Sequence, residues 1–380
     1  MRICAIGLRG IPDVMGGIET HCEQLYPRLA ELDKSLDITV IGRKGYVKPG
    51  EVSGVRVIAL WAPKASSLQT VVHTVLALFY ARLFLHPDLV HIHAVGPGFF
   101  TPLARLLGFR VIGTHHATDY ERPKFGRFGR WFLRTGEWMM ATFADQVVCV
   151  SNVIRGKLVA RRPDRKDRFV TIRNGAPPMD SVGGDAAGDL LAELGLTRRG
   201  YILCVGRIDP FKGFHDVIAA YRIARPEGLK LVIVGGSIGS DDYAAQLQEA
   251  GSDDIVFAGA RCTAEVQTLY ENAALFVHPS YLEGFPMVVL EALAADAPIL
   301  ISDIPPHLEV GLEQGSYFPK GDVDALAAVL ATGDYEHLRC ARRDRILEEN
   351  DWDGIARRHR DIMIQYDPRR RAVGTPSPSA

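Results

Sequence analysis

Short apolar runs alternate with longer amphipathic stretches along this chain, and the alternation breaks once and then restarts. The first series has strand candidates at Ile3–Gly7, Ile38–Ile41, Val55–Ala59, Leu89–Ile92, Val111–Gly113, Gln146–Val150 and about Arg168–Ile172. Helical stretches lie between several of them, at about 18–32, 68–85, 98–107, 126–142 and 152–161. The second series has strands at Tyr201–Val205, Lys230–Val234, Ile255–Phe257, Ala274–Val277 and Ile299–Ile301, with helices near 212–224, 241–250, 263–273 and 286–295. Strands that alternate with helices form parallel sheets covered on both faces. The break, Asn174-Gly175-Ala176-Pro177-Pro178 followed by Gly183-Gly184, has the composition of a linker. The pattern therefore predicts an α/β chain of two doubly wound halves, divided at 176/177, and 380 residues are long for a single core.

Composition narrows the function classes. A net charge of −1 gives no global signal for nucleic-acid binding. The six cysteines form no C-x-x-C pair, and Cys4, Cys149 and Cys204 fall inside predicted strands as small buried apolar residues. That usage fits a reducing compartment. The N-terminus, Met1-Arg2-Ile3-Cys4-Ala5-Ile6-Gly7, reads as a strand rather than a secretory signal, so the expected location is cytoplasmic. The most apolar long segment, Leu68–Leu85, carries Gln69, His73 and Arg82 and is expected to be a core crossover helix. A tail over 367–380, with Arg369-Arg370-Arg371 and a Pro/Ser-rich end, is expected to be disordered; its arginines are a weak signal for an anionic membrane.

The chemistry concentrates after strand ends. Beyond the strand ending at Val277 come His278-Pro279-Ser280, a loop with Glu283-Gly284-Phe285, and Pro286, placed for the first position of a helix. Glu291 stands eight residues beyond Glu283 among Val288, Val289, Leu290 and Leu293, where an unpartnered carboxylate is costly to bury. The strand ending at Val205 is followed by Gly206-Arg207, and Lys212 comes five residues after Arg207; a guanidinium and an ammonium together can neutralise a departing diphosphate. Gly16-Gly17 opens the first helix, where a backbone can approach an anion closely, and no G-x-G-x-x-G fingerprint accompanies it. Taken singly, each feature has a plainer explanation: a solvent-facing Glu, a surface charge pair, a flexible turn. His91, His93, His115 and His116 raise the question of a metal, but no cysteine completes a zinc set.

Taken together, Glu283-Gly-Phe-Pro-Met-Val-Val-Leu-Glu291, Gly206-Arg207 with Lys212-Gly213, and Gly16-Gly17-Ile18-Glu19 resemble the motifs of family 4 of the retaining glycosyltransferases. The segment from His115 to Lys124 resembles the His-Gly-x-Asp-Trp-x-Arg-x-Lys stretch of a bacterial branch, with Ala117 for Gly and Tyr120 for Trp. The resemblance covers about residues 1–366. It implies a GT-B fold, two Rossmann-like domains facing across a cleft: an N-terminal acceptor domain completed by a C-terminal helix over 351–366, and a donor domain over 177–350.

It also implies roles. Glu291 would hold the nucleotide ribose, and Glu283 the transferred sugar, helped by Gly284 and the backbone of Phe285, Pro286, Met287 and Val288. Arg207 and Lys212 would stabilise the diphosphate, and His116 would lie near the donor sugar. Gly16 and Gly17 would touch the donor, the loop at Arg261 and Cys262 would receive the base, and Asp119 and Arg122 would lie near the cleft. The partners implied are a UDP- or GDP-linked nucleotide-sugar and a saccharide or polyprenyl-linked acceptor at the cytoplasmic membrane face, with no cofactor and no divalent metal. Other GT-B enzymes, such as a nucleotide-sugar epimerase or a glycogen synthase-like enzyme, and a non-catalytic nucleotide-sugar-binding scaffold are the alternatives.

Overall fold

Strands buried on both faces need no polar alternation, and the continuous runs Leu89–His93 and Tyr201–Val205 are indeed central parallel strands. The computed structural model describes residues 1–63, 65–122, 125–176, 183–236 and 242–371. Pro123, Lys124, Pro177, Pro178 and the tail beyond Arg371 lie outside the described residues. The chain divides into two units, Met1–Gly175 with the segment from Asn350 onward, and Ala176–Glu349.

In the first unit β1 (Arg2–Ile6), β2 (Asp37–Arg43), β3 (Gly50–Val52), β4 (Val55–Leu60), β5 (Leu89–His93), β6 (Arg110–His115), β7 (Gln146–Cys149) and β8 (Phe169–Thr171) form one sheet. Its order is β3-β4-β2-β1-β5-β6-β7-β8. Every neighbouring pair is parallel except β3 and β4. The hairpin is absent from the sequence reading; it turns at Ser53 and Gly54, both at positive φ (47° and 81°), the geometry that lets a two-residue loop match the strand twist. Helix Gly17–Leu32 packs against Trp352–Met363, which returns to this unit, and Arg28 pairs with Asp353 at 3.2 Å.

In the second unit β9 (Tyr201–Val205), β10 (Lys230–Val234), β11 (Ile255–Gly259), β12 (Leu275–His278), β13 (Ile299–Ser302) and β14 (Tyr317–Phe318) run parallel in the order β11-β10-β9-β12-β13-β14. Their core joins Ile202, Cys204, Leu231 and Ile233 of the sheet to Phe214, Val217 and Leu326 of the covering helices. Cys4, Cys149 and Cys204 are free and buried.

Three expectations are corrected. The helix expected over 98–107 is two short ones, Val95–Gly98 and Thr101–Leu106, the second carrying Pro102 in its first turn, where no N–H is needed. Pro286 is the residue before the helix Met287–Ala294, held extended at ψ 92°, and not its first helical residue. The segment Leu68–Leu85 is long and apolar enough to cross a membrane by length and composition, yet only 28% of it is buried. It runs as Ser66–Tyr80 and a π turn, Ala81–Leu85, from β4 to β5. It is a crossover, but only one of its faces belongs to the core.

Helix Arg127–Phe143 packs on Val95–Gly98 through Gly136, where a Cβ would lie 2.0 Å from the Val95 carbonyl oxygen. That neighbour is backbone and cannot swing away. Gly136→Ala is therefore expected to lower stability by about 2 kcal/mol through overpacking, despite alanine's better helix propensity. Urea unfolding read at the midpoint checks this; a midpoint at or above the wild type would mean the two helices separate freely.

Candidate active site

Strand order decides where a pocket forms. In the second unit the chain moves outward from β9 through β10 to β11, then returns to the other side of β9 as β12. Where the order reverses, loops leaving adjacent carboxyl ends diverge and open a crevice. Arg207 and Lys212 follow β9; Glu283 and Glu291 follow β12. The two loops meet at Gly213, whose φ of 68° suits glycine and where a Cβ would lie 2.2 Å from the Pro279 carbonyl oxygen. The Tyr281 N–H donates to the Phe211 carbonyl at 2.7 Å.

Three donors converge on one oxygen of Glu283. Lys212 Nζ lies 2.5 Å from Oε1, His278 Nε2 2.9 Å and Ser280 Oγ 2.7 Å. Burial alone would raise the carboxyl's pKa, but the Lys212 ammonium and the His278 hydrogen bond hold it well below the usual carboxylate range. Burial lowers the pKa of His278 in turn, so the imidazole is neutral and donates its one N–H to Glu283. Behind them, Ser302 Oγ donates to the Ser280 carbonyl at 2.6 Å, and His307 Nδ1 donates to the Ser302 carbonyl at 2.7 Å. Burial pushes His307 down to about 3, which keeps it uncharged.

Glu291 projects from the helix Met287–Ala294 and accepts from the Tyr270 hydroxyl at 3.2 Å. Burial raises its pKa against the opposing pull of that hydroxyl and of Lys212. Arg207 is aimed by Asp209, Nη2 to Oδ2 at 3.1 Å, and stays about one-third exposed. Gly284, Phe285 and Pro286 are buried, with Met287 and Val288 half-buried at the helix start, where the first backbone N–H groups have no partner inside the helix.

At the end of β11 the arrangement is structural. Arg261 donates to Glu193 (2.8 Å), Glu265 (3.3 Å) and the Ala258 carbonyl (2.9 Å), and the Cys262 N–H donates to Glu265 at 2.9 Å to cap the helix Thr263–Asn272. The Arg261 guanidinium is thus occupied in holding the loop, which leaves the loop's backbone to meet a ligand.

The first unit reverses strand order between β1 and β5. Gly16 caps the first helix at φ 146°, where a Cβ would meet Glu19 Oε2 at 2.2 Å, while Gly17 borders open space. Glu19 itself is taken up by Arg9, accepting from its backbone N–H and its guanidinium at 3.0 Å each. His116, after β6, is partly exposed, with Nε2 at 3.0 Å from His93 Nδ1 and its ring edge-on to His21. The Tyr26 hydroxyl bridges His93 Nε2 (2.5 Å) and His91 Nδ1 (2.9 Å). Burial drives His93 and His116 well below the usual imidazole range, so the cluster is neutral. Asp119 and Arg122 pair with each other at 3.1 Å.

Glu137 escaped the sequence reading. It is buried, accepts from His115 Nε2 at 2.8 Å and Tyr120 OH at 2.9 Å, and pairs with Arg161. An acid among Leu133, Met140 and Ala141 on one helix face was the available signal.

Among the described residues two donor sets have ligand atoms within 4.8 Å of one another, His21/His93/His116 and His278/Glu283/His307. In the second, the Lys212 ammonium already occupies the only carboxylate and opposes a cation. In the first, His93 Nδ1 and His116 Nε2 already share a hydrogen bond at 3.0 Å.

The chain is similar to known proteins along most of its length. The family model for glycosyl transferases group 1 matches residues 191–332, and that for Glycosyltransferase Family 4 matches residues 15–178. O-antigen chain mannosyltransferase B of Escherichia coli is 29% identical over 241 aligned positions, covering 61% of this chain and 62% of that protein. Alpha-maltose-1-phosphate synthase of Mycolicibacterium smegmatis is 27% identical, covering 95% and 98%. Among solved structures, sucrose-phosphate synthase of Thermosynechococcus elongatus superposes with a TM-score of 0.79 at 22% identity, covering 96% and 98%. Anabaena HepE, solved with UDP-glucose, gives 0.76 at 17%, covering 96% and 100%. Fold and site thus define a glycosyltransferase of GT-B architecture. The chain belongs to family 4 of these enzymes.

The Lys212–Glu283 pair sets an expectation for stability. Because Glu283's folded pKa lies below its unfolded value, its contribution is complete above the ordinary glutamate range and is lost as pH falls through the folded value. Lys212→Met strands a buried carboxylate and should cost about 3 kcal/mol at pH 7. The variant's acid unfolding should also begin at higher pH. Urea unfolding across the acid range measures both; an unchanged acid limb would show that Lys212 does not hold the carboxylate ionised.

Proposed function

We propose that this glycosyltransferase moves a sugar, with retention at the anomeric carbon, from a UDP- or GDP-linked donor to a saccharide or polyprenyl-linked acceptor. The observation that carries the reading is the saturation of Glu283 Oε1 by Lys212, His278 and Ser280 beside Glu291, at a strand reversal. Among the described residues the hydrogen bonds to Glu283 all fall on Oε1, which leaves Oε2 to accept from hydroxyls of the transferred sugar. Backbone N–H groups of Phe285, Met287 and Val288 assist at the helix start, and Glu291 accepts from the ribose hydroxyls.

Arg207 and Lys212 face the diphosphate. An ammonium has three N–H donors, so Lys212 can keep its bond to Glu283 and still meet a phosphate oxygen. As the bond from the anomeric carbon to the diphosphate oxygen breaks, the two cations take up the developing charge. The acceptor hydroxyl attacks from the face that the diphosphate leaves, and its proton passes to a departing phosphate oxygen. Glu283 positions rather than attacks: its Oε1 is held by an ammonium and two hydrogen bonds, and its Oε2 is taken by the hydroxyls of the transferred sugar. With two cationic side chains in place, the step runs without a divalent metal.

The first unit takes the acceptor, and His116, Asp119 and Arg122 are the residues it offers to sugar hydroxyls. The likeness to an O-antigen chain mannosyltransferase supports a role in bacterial surface polysaccharide synthesis. A polyprenyl-linked acceptor would put the reaction at the cytoplasmic face of the membrane.

Nucleotide binding and turnover should separate by residue. Glu291→Ala is expected to weaken nucleotide binding by about tenfold, the loss of a charge-assisted hydrogen bond, while Glu283→Ala lowers turnover by about a hundredfold through lost positioning. Equal loss of binding in both would contradict that division. Thermal unfolding with UDP, GDP, ADP and TDP names the donor class: a nucleotide at a hundred times its Kd adds about 2.7 kcal/mol, and Arg207→Ala should abolish the selective shift. No shift with any of the four would favour a non-catalytic scaffold.

A further inference from the structure

The helices that carry the chain from β4 to β7 leave a large apolar surface in solvent. Right-handed crossovers place Ser66–Leu85, Val95–Leu106 and Arg127–Phe143 on one face of the first sheet. Ser66–Tyr80 and Arg127–Phe143 both pack on Val95–Gly98 between them. The first helix turns Ala77, Leu78 and Ala81 into the core and leaves Leu76, Phe79, Leu83 and Phe84 outside, Phe84 at 67% exposure. Across the short helices, Phe128 (75%), Trp131 (53%) and Trp138 (49%) stand out of Arg127–Phe143. Phe99 bridges inward to Trp131, ring centroids 6.5 Å apart, so the exposed aromatics continue a packed layer.

The charges on this face have one sign. Arg82, Arg127, Arg130 and Arg134 are exposed. The only carboxylate in the three segments, Glu137, is buried against His115, Tyr120 and Arg161. Exposed Trp and Phe beside arginines, with no exposed acid within these three segments, is the composition of a surface that lies in a lipid headgroup layer. We propose that this face of the first unit docks on the surface of an anionic bilayer.

The buried side of Ser66–Tyr80 argues against a spanning helix, since Ala77 and Leu78 are already packed at 0% exposure. A symmetric pairing of two copies through this face would bring the arginines of each against those of the other. An anionic lipid surface satisfies both the apolar and the basic groups. The inference deepens the reading of an acceptor at the membrane, yet its observations are independent of the donor site.

Cosedimentation of the full chain with phosphatidylcholine vesicles, with and without phosphatidylglycerol, tests it. Binding should require phosphatidylglycerol and weaken with salt. Arg127→Gln with Arg130→Gln should lower partitioning by about 25-fold, at roughly fivefold per arginine. Phe84→Glu with Trp131→Glu should lower it further. The arginine pair is exposed, so it keeps the test valid if the second pair fails to fold.

A wild-type chain that stays in the supernatant with both vesicle types overturns the proposal. So does binding indifferent to the arginine pair, or concentration-dependent self-association in sedimentation velocity that the same variants abolish, which would assign the face to a second copy. Nucleotide-induced thermal stabilisation without vesicles separates the two readings. A chain that binds nucleotide but no vesicles loses the docking face and keeps the proposed reaction; the converse loses the reaction and keeps the face.

Discussion

A largely buried carboxylate stays charged at position 283 because three donors from three places meet one of its oxygens. Lys212 arrives from the loop after β9, His278 from the last position of β12, and Ser280 from the loop that follows. Each donor is itself positioned. Gly213 lets the Lys212 loop lie against Pro279, and Ser302 on β13 anchors the Ser280 carbonyl. The convergence needs β9, β12 and β13 side by side, so strand order is a precondition of the charge, not a backdrop to it. An unpaired carboxylate at this burial would neutralise instead.

The first unit solves polar burial in the opposite way. His21, His91, His93, His116 and His359 crowd together, and burial lowers every one of their pKa values, His21 to about 4 and His91 to about 3. Neutral imidazoles at 91, 93 and 116 then hydrogen-bond to Tyr26 or to one another, His21 bonds to Asn174, and the Nε2 atoms of His21 and His359 stay buried without a hydrogen-bond partner among the described residues. One unit thus holds a charged buried cluster and the other a neutral, hydrogen-bonded one.

The legible parts were those that local chemistry dictates. Buried parallel strands announce themselves as apolar runs, and the glycines at 206 and 213, the cations at 207 and 212 and the acids at 283 and 291 stand at fixed offsets from strand ends. What escaped depends on contacts distant in sequence. Nothing near position 278 says that its imidazole serves Glu283, and nothing near 137 says that His115, Tyr120 and Arg161 will close around that acid. Nothing near Arg261 says that Glu193, 68 residues away, will pair with its guanidinium. The β3–β4 hairpin was lost for a different reason: three-residue Gly50–Val52 is too short and too exposed to leave a periodic trace.

Leu68–Leu85 shows why composition alone misleads about burial. Hydropathy averages around the helix, and a sheet takes only one side of it. His73, Ala77, Leu78 and Ala81 repeat at helical spacing and fill the core, while Leu76, Phe79, Leu83 and Phe84 repeat just as well on the far side. Both stripes are apolar, so periodicity cannot choose between a buried helix and one that is half buried. The neighbours decide: among the described residues the short helix Val95–Gly98 packs beside it, and four residues are too few to cover the outer stripe. An apolar stripe left open in this way is costly in water unless something covers it, and the arginines along its borders restrict what that can be.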